Sequence, residues 1–213
     1  MLKLSTGLVI GLLFFGASAA NASPITLKTD PVLSGASVID FSSVPTGKYT
    51  SFTTDGVTFK ANDGFAYVIS NYSGSYGAVG QSIQNTYNGD GFGSITATFT
   101  DAVSFFAFNW GASDNQWTLS AYDGLGNLVE SILPAITTGS NDGFTGIKSG
   151  SAIIKSFTLS GPASDYVFLD NLQFSESSGT GGPSAVPVPA TLPLMLSGLG
   201  VLGFASRRKK RLA

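Results

Sequence analysis

A carboxylate interrupts an apolar alternation near the end of the chain, in Leu169-Asp170-Asn171-Leu172-Gln173-Phe174. Residues two apart in a strand share a face, so Asp170 is expected beside Phe168, Leu172 and Phe174. A carboxylate there needs hydrogen-bond donors or a cation, because burying it bare is costly. Two readings stay open: Asp170 holds a metal ion, or it caps backbone amides and pairs with Asn171 at a strand end.

Residues 62–93 suggest a different chemistry. They hold four of the seven tyrosines (Tyr67, Tyr72, Tyr76, Tyr87), seven glycines, and Asn62, Asp63, Asn71, Asn85, Asn88 and Asp90. Aromatic rings stack on sugar faces while amides and carboxylates bond to hydroxyls, so Tyr72, Tyr76 and Tyr87 are candidate carbohydrate contacts. The same composition suits a long irregular loop rich in turn residues. Asn88-Gly89-Asp90-Gly91 offers oxygen ligands but lacks the twelve-residue calcium-loop spacing and its closing glutamate. In Asp114-Asn115-Gln116-Trp117, Trp117 and Asp114 could together meet a sugar, or the indole could be plain core. A glycosidase would need two carboxylates roughly 5–10 Å apart. Asp114, Asp123 and Glu130 are available, but the sequence selects no pair.

The chain has no cysteine and no histidine. That excludes disulfides, thiolate metal centres, cysteine nucleophiles and the histidine of a serine-hydrolase triad. The formal charge is −2, with the signs segregated. Lys3 and the run Arg207, Arg208, Lys209, Lys210, Arg211 sit at the ends. Between them stand thirteen acidic residues against five lysines, a balance of −8 with no arginine. Such a body is a poor partner for nucleic acid, which requires clustered basic side chains.

The elements that must position these residues read as all-β. Apolar alternations at 38–41, 49–53, 57–60, 66–70, 95–100, 104–110, 117–122, 128–132, 153–160 and 166–174 are separated by Gly, Asn, Asp and Ser, without a helical period. Ile95, Ala97 and Phe99 point inward, and Thr96, Thr98 and Thr100 outward. Asp123-Gly124-Leu125-Gly126-Asn127 predicts a hairpin turn, and Asp55-Gly56 another turn before Val57. About ten short strands predict a single jelly-roll-like β-sandwich over residues 23–174. Its core is expected to include Phe99, Phe105, Phe108, Phe157, Phe168 and Phe174.

Both ends read as addresses. Residues 1–22 have the form of a secretory signal peptide: Lys3, an apolar run over 8–15, and Ala20-Asn21-Ala22 before Ser23 as the cleavage site. Export by a Sec-type route and cut by signal peptidase follow. Residues 175–185 form a flexible Ser/Gly linker. Residues 190–206 are seventeen uncharged positions, about 25 Å as a helix and enough to reach across a thin bilayer. The basic run behind them fits the cytoplasmic side.

Val186-Pro187-Val188-Pro189-Ala190, the Leu/Gly-rich span and the basic run at 207–211 together resemble the PEP-CTERM sorting signal, in its VPxPA variant. Val188 stands where the family's eponymous glutamate would be. The resemblance implies processing by an exosortase near the proline motif, and a Gram-negative cell surface or extracellular matrix as destination. Within the body, Asp40-Phe41, Asp55-Gly56-Val57-Thr58-Phe59, Ala121-Tyr122-Asp123 and 169–174 resemble surface-sorted sandwiches and galactose-binding-like carbohydrate modules. That likeness implies a structural calcium between first and last strands, with Asp40 and Asp170 as ligands. The expected function is a non-enzymatic, exosortase-sorted surface or matrix protein binding exopolysaccharide. The alternatives are a carbohydrate-active enzyme using an Asp/Glu pair and a purely structural matrix component.

Overall fold

The computed structural model describes residues 22–75, 77–85, 90–138 and 143–176. The signal-peptide expectation up to position 21, Tyr76, Tyr87, and all of the linker and sorting tail from 177 onward lie outside them, including the predicted span 190–206. Among the described residues no helix is long and apolar enough to cross a membrane.

Fourteen strands account for the body: β1 (Ser23–Ile25), β2 (Ser37–Ile39), β3 (Gly47–Tyr49), β4 (Ser51–Thr54), β5 (Val57–Ala61), β6 (Ala66–Ile69), β7 (Ser82–Asn85), β8 (Ser94–Val103), β9 (Phe105–Gly111), β10 (Thr118–Tyr122), β11 (Leu128–Ile132), β12 (Gly143–Lys148), β13 (Ile154–Ser160) and β14 (Val167–Phe174). They form two antiparallel sheets. The first runs β1-β12-β9-β14-β7-β6-β3, with β2 also pairing to β14; the second runs β11-β10-β13-β8-β5-β4. The all-β sandwich expected from the alternation is therefore present. The segment expected at 49–53 is divided between β3 and β4, which lie in different sheets.

Three strands escaped the alternation for physical reasons. β1 is three residues long and contains Pro24. β7 has one apolar side chain, Ile83, yet all four of its residues are buried. β12 carries two glycines, and a Cβ at Gly146 would lie 2.2 Å from the Phe106 carbonyl on β9. Close approach of two backbones requires that glycine.

Aromatic packing fills the space between the sheets. Phe106 of β9 stacks on Phe157 of β13 with centroids 4.4 Å apart, and Phe108, Phe99 and Phe174 extend the group. Ile95, Ala97 and Phe99 are buried as the alternation requires, and Thr98 and Thr100 are exposed. Phe105 and Phe168, expected in the same core, instead face away from the second sheet. Phe105 and Ala107 lie with Ile25 beneath Val32 and Leu33 of the N-terminal segment, which Lys148 pins through Asp30 at 2.6 Å. Phe168 lies with Ala78 and Ala112 beneath Tyr72. Because β9 is covered on both faces, all seven of its residues are buried, and it reads as an apolar run (FFAFNWG).

The outer face of the second sheet is lined with hydroxyls bonded across strands: Thr96 to Thr158 at 3.0 Å, Ser94 to Ser160 at 3.1 Å, Ser120 to Ser131 at 2.9 Å. At its edge, the Glu130 carboxylate accepts the Ser131 amide at 2.9 Å, which blunts that strand against pairing with another chain.

Both predicted turns form. Asp55 and Gly56 have φ of 45° and 77°, the double positive of a two-residue hairpin. In the β10–β11 turn, Asp123 Oδ1 accepts the Leu125 and Asn127 amides, both at 2.8 Å, and Gly126 has φ 83°. An added methyl at Gly126 meets nothing within 4 Å, so only backbone strain opposes it. Gly126→Ala is expected to cost about 1 kcal/mol, read as a fall of a few degrees in Tm. Gly124→Ala, equally open in space and without positive φ, should leave Tm unchanged.

Candidate functional site

Asp170 is fully buried on the side of Phe168, as the alternation assigns it, but Leu172 and Phe174 do not share that face. Asn171 takes φ 48°, and the pairing of β14 with β9 shifts between Asp170 and Gln173. This bulge adds one residue to the strand. Val167, Leu169 and Leu172 therefore face the main core, with Phe174 against it, while Phe168 faces outward beneath Tyr72. Asp170 is one pair of residues along from Phe168 on the same side. Its Oδ2 accepts the Val79 amide at 2.9 Å and Asn171 Nδ2 at 3.1 Å, and its Oδ1 accepts the Asn171 amide at 2.7 Å. Burial pushes its carboxyl up to about 6, against the pull of the Val79 and Asn171 amides, and the charge of Asp40 adds to the rise.

Asp40 is exposed, and its Oδ1 accepts both the amide and the hydroxyl of Ser42, at 3.0 and 2.7 Å. The Ser42 hydroxyl, then its amide, hold the Asp40 carboxyl below the usual range. The two carboxylates proposed for calcium are thus within electrostatic reach of one another, and each is engaged by protein donors. Among the described residues no three His, Cys, Asp or Glu side chains are grouped so as to hold a metal ion.

Tyr72 covers the outer side of Phe168, ring centroids 5.4 Å apart, so one of its faces is occupied. Asn109 Nδ2 donates to the Gly77 carbonyl at 2.8 Å and ties the same loop to β9. This stretch of the Tyr/Asn-rich segment is a strap over the first sheet, held by Asp170 and Asn109.

Trp117 is 1% exposed. Trp110 and Phe92 meet it edge-on, and an added Cβ at Gly161 would lie 2.2 Å from its ring. No face of that indole is open to a sugar. Asp114, its proposed companion, is exposed. The residue that organises this end is one the sequence did not single out. Asp165 is 3% exposed and accepts four N–H groups: Asp114 at 2.9 Å, Tyr166 at 3.0 Å, Asn115 at 3.1 Å and Trp117 Nε1 at 2.8 Å.

A third group closes the edge of the first sheet. Lys48 pairs with Asp90 at 2.5 Å and lies 3.9 Å above the Phe65 ring, while Tyr67 donates to Asp90 at 2.6 Å. The Lys48 hydrogen bond, with that of Tyr67, holds the Asp90 carboxyl low, and Asp90 in turn raises Lys48. Tyr67 is therefore committed to an ion pair.

An open concavity lies elsewhere among the described residues, at the end of the sandwich where β14 finishes. A cleft of about 450 Å³ is lined by Ser37, Val38, Ile39, Asp55, Phe174 and Glu176. A recess of about 120 Å³ adjoins it across Asp55 and Phe174 and reaches Phe99 and Asp101. The β2–β14 pairing sets positions 37–39 against 172–174, with Glu176 following beside Ser37, and the strained Asp55-Gly56 turn closes the other wall. Ser37 donates to Glu176 Oε1 at 3.1 Å and Thr54 to Asp55 Oδ2 at 2.9 Å. Each carboxylate thus has one oxygen held by a hydroxyl.

Comparison with known proteins gives two kinds of likeness. Residues 185–210 match the PEP-CTERM protein-sorting motif. No curated protein matches the chain. Among solved structures, the chain is similar to the K2 cleaved adhesin domain of Lys-gingipain, at 11% identity over 66% of this chain and 99% of that one, TM-score 0.46. It is similar to a family 6 carbohydrate-binding module at 17% identity over 66% and 94%, TM-score 0.34. A Clostridium stercorarium module of that family, in complex with cellobiose, shows 18% identity over 61% and 95%, TM-score 0.34. The sandwich assignment rests on the strand pairing itself.

Proposed function

We propose that the chain is an exported precursor whose tail delivers the acidic sandwich to the surface or extracellular matrix of a Gram-negative cell, where it binds exopolysaccharide without catalysing a reaction. The observation that carries this reading is the sorting-motif match at 185–210, following so closely on the last strand of the sandwich. Signal peptidase removes residues 1–22. An exosortase then acts near Pro187 and Pro189, whose rings keep the segment extended and free of ladder hydrogen bonds.

Deleting residues 186–213 is expected to release the sandwich into the medium; unchanged surface retention of the truncated chain would contradict the sorting role. Retention of the chain on the cell's own polysaccharide, with and without a chelator, tests binding. Retention lost with the chelator would support a calcium between Asp40 and Asp170, and no retention in either condition would leave a purely structural matrix component.

One observation favours a second reading. Asp55 and Glu176 share the walls of a single cleft, and two carboxylates flanking a bond are what a glycosidase uses. Release of reducing sugars, abolished by either Asp55→Asn or Glu176→Gln, would select it.

A further inference from the structure

We propose that the cleft between β2, the β4–β5 turn and the end of β14 binds amino-sugar units of a polysaccharide, holding the ammonium between Asp55 and Glu176. This rests on the polysaccharide-binding reading above and names the site and the sugar class.

A volume of about 450 Å³ lies in the range of small-molecule sites and is sufficient for one or two sugar rings. Its apolar surface is Val38, 55% exposed, and the partly buried ring of Phe174, which also packs on Phe99. Such a surface suits the C–H face of a pyranose.

The polar groups then select the ligand. Asp55 and Glu176 are acceptors only when ionised, so they demand a donor-rich partner. Each has one oxygen already bonded to a hydroxyl, from Thr54 and Ser37, which orients the carboxylate. Among the described residues no basic side chain pairs with either. By contrast, Lys48 is engaged by Asp90, Lys148 by Asp30, and Lys155 by the Thr100 carbonyl. The body around the cleft carries −8 overall. A uronate would be repelled at this position. A neutral sugar would gain hydrogen bonds only, while a protonated hexosamine would gain charge-assisted ones, which are about twice as strong.

The test titrates the full chain, in mild detergent, with three oligosaccharides of equal length: β-linked glucosamine, N-acetylglucosamine and galacturonate. Glucosamine should bind tightest, N-acetylglucosamine at least tenfold more weakly, and galacturonate not measurably. The paired substitution Asp55→Asn with Glu176→Gln keeps the Thr54 and Ser37 partners and should abolish the preference for glucosamine. Val38→Lys sits on the exposed wall and should block glucosamine binding without a change in Tm. Equal binding of galacturonate, or glucosamine binding unaffected by both variants, would overturn the assignment. If the variants still bind the native matrix polysaccharide as the parent does, the cleft is wrong and the binding reading survives. If the parent binds no polysaccharide, both fall.

Discussion

Asp165→Ala lowers the stability of the sandwich by about 4 kcal/mol, a fall in Tm on the order of 10 °C. The four groups that bond to this buried carboxylate come from three places: the amides of Asp114 and Asn115 in the β9–β10 connection, the indole of Trp117 directly before β10, and the amide of Tyr166 leading into β14. Alanine leaves a buried indole N–H and up to three amides without an acceptor. Each orphaned donor costs about 1–3 kcal/mol, and bonds to a charged acceptor sit toward the upper end. Water entering the vacated space recovers part of the loss, which is why the expected total is below the simple sum. Asp165→Asn discriminates between loss of shape and loss of acceptors. It retains one oxygen but turns an NH₂ toward two donors, so about half the effect should remain. Equilibrium unfolding in urea, followed by tryptophan fluorescence, measures both. A loss below about 1 kcal/mol for the alanine variant would mean that the Trp117 region is held by packing against Phe92, Trp110 and Gly161 alone.

That hub was not legible in the sequence, and the reason is separation. Asp165 follows Gly161-Pro162-Ala163-Ser164, where an aspartate is an ordinary turn residue, and its tryptophan partner lies 48 positions away. What was legible was local. The alternation of Ile95, Ala97 and Phe99 against threonines reports a sheet with one wet face, and Asp-Gly reports a hairpin whose two central residues need positive φ. Where a strand is covered on both faces, as β9 is, alternation vanishes, yet a fully apolar run still marks it. Where the buried residues are themselves polar, as Ser82 and Gln84 of β7 are, no hydrophobic signal remains. Asp170 is buried on the side of Phe168 and caps backbone amides together with Asn171, as one of its two readings has it, but Leu172 and Phe174 lie on the other face. Nothing in the alternation announces the left-handed Asn171, although asparagine is among the residues that tolerate that conformation. The prospective site followed the same rule. Asp55 and Glu176 are 121 positions apart in sequence, and they share a cleft only because the β4–β5 turn of one sheet stands beside the end of β14 in the other.

Asp170, buried just before the bulge, also makes stability depend on pH. A carboxylic acid normally titrating near 3.8 does so here at about 6, so the folded chain takes up a proton that the unfolded chain has lost between those values. Stability is therefore highest for this group below pH 4 and falls as pH rises through about 6, by about 2–3 kcal/mol in all. Asp40, Asp90, Asp30 and Asp123 act in the opposite sense: their carboxyls are held low by hydrogen bonds and ion pairs, so their contribution is lost as pH drops below about 4. Among these groups the two trends oppose one another, Asp170 favouring the folded state below about pH 6 and the other four above about pH 4. Asp170→Asn removes the first trend and leaves the second. The variant gives up one or two hydrogen bonds to Val79 and Asn171, about 1 kcal/mol each, but no longer buries a charge at neutral pH. Its stability at pH 4.5 should fall below that of the parent, and at pH 7.5 it should equal or exceed it. Urea midpoints at those two values measure the crossing, and parallel curves for parent and variant would show that the Asp170 carboxylate is reached by water that the closed strap over Phe168 excludes.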